Sequence, residues 1–246
     1  MNRSPIEDVP VVVLAGGEGQ RLRPYTTVVP KPLLPIGNTS VLELLLVQLK
    51  RQGFAKAVLA VSYLAELVEG TCGDGSRFGL EIRYSREPRP LSTAGPLKLI
   101  DGLSSTFLTV NGDLLTNFRY EPLLRFHRER GAVATIAAQR RRIEIDFGVI
   151  EKTGDDLLAR YIEKPSYDYL VSIGLNVLEP RVLDYIGAGE KLDMPELMQR
   201  LGDAGEPVLV FETECLWLDI GRKDDYERAI DLFNNRSDFL ADLDDS

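Results

Sequence analysis

Short apolar runs alternate along this chain with segments whose apolar residues recur every three or four positions. Residues 9–15 (VPVVVLA) are apolar throughout and rich in β-branched side chains, the pattern of a strand covered on both faces. Residues 40–52 spell a helix: Ser40 is the candidate N-cap, Glu43 completes a capping box, and Gly53 supplies the stop. Strands at 56–63 and 80–87, a helix at 64–70, the stretch TAGPLKLI, a strand at 107–112, a helix at 121–130 and the run AVATIAAQ continue the alternation. This rhythm predicts an α/β fold in which helices cover both faces of a mostly parallel sheet.

The pattern changes near residue 140. FGVIEK, LLARYIEKP and VSIGLNVLEP are strand-like runs separated by turns, and they predict a small, more antiparallel lobe. Helical segments at 181–186 and 195–201, a strand at 208–212, the run LWLDIG and a closing helix over 223–234 follow. The acidic tail LADLDDS is expected to fray. No repeat, low-complexity segment or long linker divides the chain. The reading is therefore one domain, 1–246, with one lobe over 1–140 and a second over 141–235 that includes the closing helix.

Composition narrows the functional classes. With 246 residues and 44% hydrophobic content the chain is an ordinary globular protein. It has no apolar run of 18 residues, and MNRSPIEDVP lacks the apolar stretch of a signal peptide, so a cytoplasmic protein without a membrane span is expected. Cys72 and Cys215 sit in neither metal nor redox spacing. A net charge of -9 argues against nonspecific binding to nucleic acid or anionic membrane. An anionic substrate would then need a local basic pocket.

The end of the first strand supplies one. Gly16, Gly17 and Gly19 follow it, and glycine lets amide N–H groups approach an anion with no Cβ in the way. Arg21 and Arg23 add fixed positive charge suited to phosphate oxygens, and prolines stiffen PKPLLP around Lys31. The stretch is neither GxxxxGK[ST] nor GxGxxG. It reads as a triphosphate cradle, the alternative being a surface loop with incidental arginines. VNGDLL places Asn111 and Asp113 just past a second apolar strand, and LWLDIG places Asp219 past a third. Two such carboxylates could share one Mg²⁺, unless each merely caps a turn. In YIEKP, Lys164 could hold a phosphate and Glu163 accept sugar hydroxyls; alone the pair reads as solvated. His127, in EPLLRFHRER, reads as a solvated helix residue.

Together the stretches carry a resemblance. LAGGEGQRLRPYTTVVPKPLLPIGN resembles the signature of the sugar-1-phosphate nucleotidyltransferases (NDP-sugar pyrophosphorylases). LSTAGPL, VNGDLL, FGVIEK, YIEKP and WLDIGRKDDYERA resemble that family's later blocks in the same order. The resemblance implies a Rossmann-like three-layer nucleotidyltransferase fold with a small antiparallel sugar-binding lobe. It implies Mg²⁺, and a nucleoside triphosphate and a sugar 1-phosphate as substrates; it leaves homo-oligomerisation open. Carried over, Leu14, Ala15, Gly16, Gly17, Thr93, Ala94 and Asn111 would meet the nucleotide. Gly19 and Arg21 would hold the departing pyrophosphate, and Lys31 would neutralise the reacting phosphates. Asp113 and Asp219 would carry Mg²⁺. Asn111 and Gly148 would contact sugar or ribose hydroxyls, and Glu163 and Lys164 the sugar phosphate. The sugar phosphate is already an anionic nucleophile, so charge neutralisation and in-line positioning suffice.

Base and sugar are less directly written. By the same resemblance Glu87 reads the base edge, where relatives using uridine or thymidine triphosphates carry Gln. A carboxylate only accepts, which suits guanine N1–H and its 2-amino group and favours GTP. Ser92 stands where relatives have Gly and would crowd the base. KLDMPELMQRL is similar to guanylyltransferases acting on mannose, heptose or related 1-phosphates. Ser172, Ile173 and Asn176 depart from the usual Asn-Ala-Gly-x-Tyr pattern in the expected sugar pocket, which admits an unusual sugar or a cyclitol phosphate. No acyltransferase or β-helix region follows, pointing away from a bifunctional enzyme. The same chemistry with UTP or dTTP on a hexose 1-phosphate stays open, as does a non-catalytic nucleotide-sensing subunit. A glycosyltransferase with a DxD motif is disfavoured, because VNGDLL lacks that motif.

Overall fold

A computed structural model describes residues 6–235; the tail LADLDDS lies outside them. The apolar runs of the first half become β1 (Val11–Leu14), β4 (Lys56–Val61), β5 (Glu81–Arg86) and β6 (Phe107–Asn111). A short ribbon, β2 (Pro35–Ile36) with β3 (Thr39–Ser40), leads into α1 (Val41–Arg51). The capping box forms as the sequence predicts: Ser40 Oγ accepts from the Glu43 amide at 3.3 Å, and Glu43 Oε2 accepts from the Ser40 amide at 2.9 Å. Helix α2 (Ala65–Cys72) follows β4, and β7 (Leu114–Thr116) and α3 (Tyr120–Arg130) follow β6. The second half holds β8 (Ala134–Glu144), β9 (Val149–Lys152), β10 (Leu158–Ile162) and β11 (Ser166–Leu178). Helix α4 (Met194–Asp203), β12 (Val208–Glu212), β13 (Trp217–Asp219) and α5 (Lys223–Asn235) close the described chain.

Seven strands form the central sheet in the order β12-β8-β11-β6-β1-β4-β5. Strand β11 runs antiparallel to both neighbours, and the other pairings are parallel, so the sheet is mostly parallel. Strands β9 and β10 make a separate antiparallel hairpin. The expected lobe is thus partly an extension of the main sheet: β8 runs unbroken through residue 140 and pairs with β11 along its length. The stretch TAGPLKLI and the segment read as a helix at 181–186 form only 3₁₀ turns, Gly95–Leu99 and Pro180–Tyr185. Each has a proline at its start, and neither grows into a full α-helix.

Two apolar clusters lie in the described core on either side of the layers. One joins β1, β4 and β6 to α1, α2 and α3; the other gathers Val12, Phe107, Leu97, Leu197 and Leu201. A third, around Leu22, Ile36, Leu115, Leu218 and Ile220, holds α5 against the loops at the strand ends.

His127 corrects the sequence reading. Its side chain is 1% exposed, with Nδ1 2.8 Å from Thr135 Oγ1 and Nε2 3.1 Å from Glu179 Oε1. Burial pushes the imidazole below its ordinary 6.5, while the Glu179 carboxylate opposes that shift. The unfolded chain therefore takes up a proton first as pH falls below the ordinary value, and folding stability drops there. Relative to His127→Gln, the parent should lose about 1 kcal/mol more unfolding free energy between pH 7.5 and 5.5 in denaturant titrations. Equal losses in the two proteins would show that the folded imidazole is charged.

Candidate active site

The parallel strands β1, β4, β5 and β6 all deliver their carboxyl ends to one edge of the sheet, where open α/β sheets bind ligands. From β1 the chain enters the glycine loop. Gly19 adopts φ +61, and a side chain there would stand 2.9 Å from Thr26 Cγ2 and 3.1 Å from Lys31 Cβ. Glycine is thus required both by the backbone and by the close return of the Thr26–Lys31 segment. Thr26 Oγ1 fixes that return by donating to Gly19 O at 2.9 Å. Lys31 opens the 3₁₀ turn Lys31–Leu33 between Pro30 and Pro32.

Lys31 ends against two carboxylates. Its Nζ donates to Asp113 Oδ2 and lies 3.5 Å from Asp219 Oδ1. The convergence has a backbone cause: β7 and β13 pair antiparallel with Leu114 opposite Asp219. The Ile220 amide also donates to Asp113 O at 3.4 Å. Lys31 and Asp113 are only 12% and 17% exposed. Burial raises the Asp113 carboxyl; Lys31 opposes the shift and Asp219 adds to it.

Leu14, Ala15, Gly16, Gly17, Gly19, Lys31, Glu87, Ser92, Thr93, Asn111 and Asp113 line one cavity of about 580 Å³. Glu87 follows β5, and its Oε2 accepts from the Leu91 amide at 2.7 Å. A Cβ on Gly16 would sit 2.5 Å from Glu87 Oε1 and 3.2 Å from Ser62 Cβ, so a larger residue there would push the carboxylate aside. Burial raises the Glu87 carboxyl, and the Leu91 amide opposes the shift. Ser92 has φ 68, a left-handed conformation that favours glycine. The turn is pinned from a distant segment: Leu192 O accepts from the Ala94 and Gly95 amides at 2.9 and 3.0 Å, and Thr93 Oγ1 accepts from the Met194 amide at 2.8 Å. That pairing carries Lys191 into the cavity wall, a residue the sequence reading missed. Its only signal there was its place in KLDMPELMQRL.

The remaining expected site residues lie elsewhere. Ala94 is fully buried in the core and does not line the cavity; its amide is already engaged with Leu192. Ser172 and Asn176 line a second cavity of about 590 Å³ that shares Leu14, Thr93 and Asn111 with the first. Ile173, expected beside them, is fully buried in the core on the strand's other face. Glu163 and Lys164 are exposed just beyond β10, and Gly148 stands just before β9, where a Cβ would meet the Tyr161 hydroxyl at 2.6 Å. None of the three lines a cavity described here. Arg21 and Asp219 line a third cavity, of about 300 Å³.

Known proteins share this arrangement of sequence and fold. A family model described as nucleotidyl transferase matches residues 10–236. A UTP–glucose-1-phosphate uridylyltransferase of Synechocystis is 35% identical over 239 residues, covering 89% of this chain and 62% of that protein. A mannose-1-phosphate guanyltransferase of Saccharomyces cerevisiae is 32% identical over 237 residues, covering 91% and 64%. The chain thus spans a little under two thirds of these relatives' length. The crystal structure of HddC from Yersinia pseudotuberculosis superposes with a TM-score of 0.71 at 23% identity, covering 92% of this chain and 99% of that one.

Proposed function

The chain belongs to the nucleotidyl transferase family, and on that premise we propose that it joins a nucleoside triphosphate to a sugar 1-phosphate. An oxygen of the sugar phosphate bonds to the α-phosphorus, the bond from that phosphorus to the bridging oxygen breaks, and pyrophosphate departs with both electrons. The observation that carries the reading is the Lys31 ammonium held against Asp113 and Asp219 beside the glycine loop. A reaction between two anions needs such a cation at the point where they meet, and it needs no general base.

The roles divide by position. Leu14, Ala15, Gly16 and Gly17 bed the nucleotide, Gly19 and Arg21 take the pyrophosphoryl end, and Lys31 neutralises the reacting phosphates. Asn111 and Gly148 meet hydroxyls, Glu163 and Lys164 the sugar phosphate, and Ser172 and Asn176 the sugar. Two carboxylates that already face one cation suit Mg²⁺, which completes its shell with phosphate and water. Asp113 and Asp219 would hold it, and it would supply further charge neutralisation. The presence of Lys31, Asp113 and Asp219 together favours an enzyme over a nucleotide-sensing subunit.

For the base we assign GTP, on Glu87 alone. Its carboxylate reaches the cavity wall and can only accept, as guanine N1–H and the 2-amino group require. UTP on a hexose 1-phosphate is the second reading, favoured by the Synechocystis relative. Pyrophosphate release from a panel of triphosphates and sugar 1-phosphates decides between them. GTP should lead by about ten- to a hundredfold in kcat/KM, and Glu87→Gln should admit UTP or dTTP. A parent that prefers UTP, or a ranking untouched by Glu87→Gln, would move base choice away from Glu87. No pyrophosphate with any pair would remove the enzyme reading.

A further inference from the structure

The third cavity shares no lining residue with the first, yet Asp219 stands in its wall. Arg21, Arg140, Arg141 and Arg228 line it as well, four cations against two carboxylates, Asp219 and Asp225. This concentration of positive charge is out of keeping with a chain of net charge -9. Arg140 is committed to Glu212, with Nη2 2.9 Å from Oε1. Arg141 reaches only the Trp217 ring, 5.7 Å from its centroid. Among the described residues no carboxylate forms an ion pair with Arg21, Arg141 or Arg228. At Gly221 the groups come close together: a Cβ there would lie 3.5 Å from Arg21 Nη2, 3.6 Å from Asp219 Oδ2 and 3.7 Å from Asp225 Oδ2.

Three guanidinium groups around one small cavity repel one another, and an acidic chain has carboxylates enough to neutralise them. The two carboxylates in the wall, Asp219 and Asp225, form no ion pair with them and are outnumbered, so the three match an anion that is not part of the chain. A phosphate suits the planar donor forks. The position says which one. Arg21 belongs to the same loop as Gly16–Gly19, so a triphosphate lying along the glycines, with its reacting phosphorus at Lys31, Asp113 and Asp219, extends its terminal phosphates toward Arg21. We infer that Arg141 and Arg228 join Arg21 in binding the pyrophosphoryl group of the triphosphate, and so hold the pyrophosphate product. This rests on the nucleotidyltransferase reading above, and it assigns two binding residues that stand 120 or more positions from the glycine loop.

Calorimetric titration of inorganic pyrophosphate into the full chain tests it without turnover. Arg141→Ala and Arg228→Ala should each weaken binding about tenfold, and the double variant by more, because each removes a charge-assisted contact. Arg228→Lys should recover part of the loss. Arg125→Ala, the same charge change on the exposed face of α3, should leave affinity within about twofold, which separates a local contact from the general field. In the reverse reaction KM for pyrophosphate should rise in the two variants while KM for the nucleotide sugar holds. Unchanged pyrophosphate affinity in the double variant, an equal loss in Arg125→Ala, or a rise confined to KM for the sugar phosphate would each overturn the assignment. A parent that turns over normally beside a double variant with full affinity sinks this inference alone. Loss of pyrophosphate binding in the variants of a parent that accepts no sugar phosphate leaves the site standing and removes the reading above.

Discussion

Replacing Lys31 by methionine should lower kcat about a thousandfold at saturating substrates, with a smaller change in KM for the sugar phosphate. Its ammonium is the cation fixed at the junction of Asp113 and Asp219, where in the proposed reaction negative charge builds as the phosphorus is attacked. An interaction that strengthens only in the transition state appears in kcat, and single preorganised contacts of this kind contribute about a hundred- to a thousandfold or more. Methionine keeps the volume of the stem and removes the charge. The two carboxylates left facing each other should cost about 1–3 kcal/mol of stability, discounted for the partial exposure of Asp219, and thermal melting reads that separately. Pyrophosphate release under saturating conditions is the deciding measurement. A change confined to KM for the sugar phosphate would reassign Lys31 to the sugar side.

Asp113→Asn and Asp219→Asn should each lower turnover by about a hundredfold or more while leaving the melting transition cooperative. Asparagine is nearly isosteric, and the β7–β13 ladder that brings the two positions together is made of backbone. Each substitution removes one anionic oxygen ligand from the pair assigned to Mg²⁺. Raising the Mg²⁺ concentration should restore part of the rate, and more Mg²⁺ should be needed for half-maximal rate in both variants. Near-normal turnover at ordinary Mg²⁺ in either variant would show that the two carboxylates do not share a metal.

Much of the fold was legible because its signals are local. The capping box of α1 lies within four residues, and β12 carries its own apolar run between turn residues, so both come out as the pattern predicts. What the pattern could not give is pairing at a distance. The run VSIGLNVLEP reads as its own strand, whereas β11 begins earlier, at Ser166, and shifts register against β8 between Ser172 and Asn176, around Gly174 at φ +76. A single glycine inside a strand signals such an irregularity but not the strand's length. His127 reads as solvated from its helix alone, because the partner that pulls it inward, Glu179, lies 52 residues on. The glycine loop, Lys31 and Asn111 were legible as a candidate site because strand ends announce themselves, and Glu87 through the family resemblance; the topology gathers all of them around one cavity. Lys191, Arg141 and Arg228 were not, since Lys191 sits in a loop pinned to a distant turn and the other two ride on β8 and α5, whose places are set by tertiary pairing.

The pairing of β13 with β7 also fixes when Lys31 can meet both of its carboxylates. Lys31 and Asp219 stand 188 residues apart in sequence, and Asp219 rides on the final strand of the described chain. During vectorial synthesis the amino-terminal half leaves the ribosome first and can assemble β1, β4, β5 and β6 with the glycine loop. That nascent unit has the glycine loop but neither the second carboxylate nor the cavity that Trp217 and Arg228 help to wall. Only after β13 and α5 emerge does the last strand zip onto β7 and complete the charged centre. On the function proposed above, competence for catalysis would therefore wait until this segment has been translated.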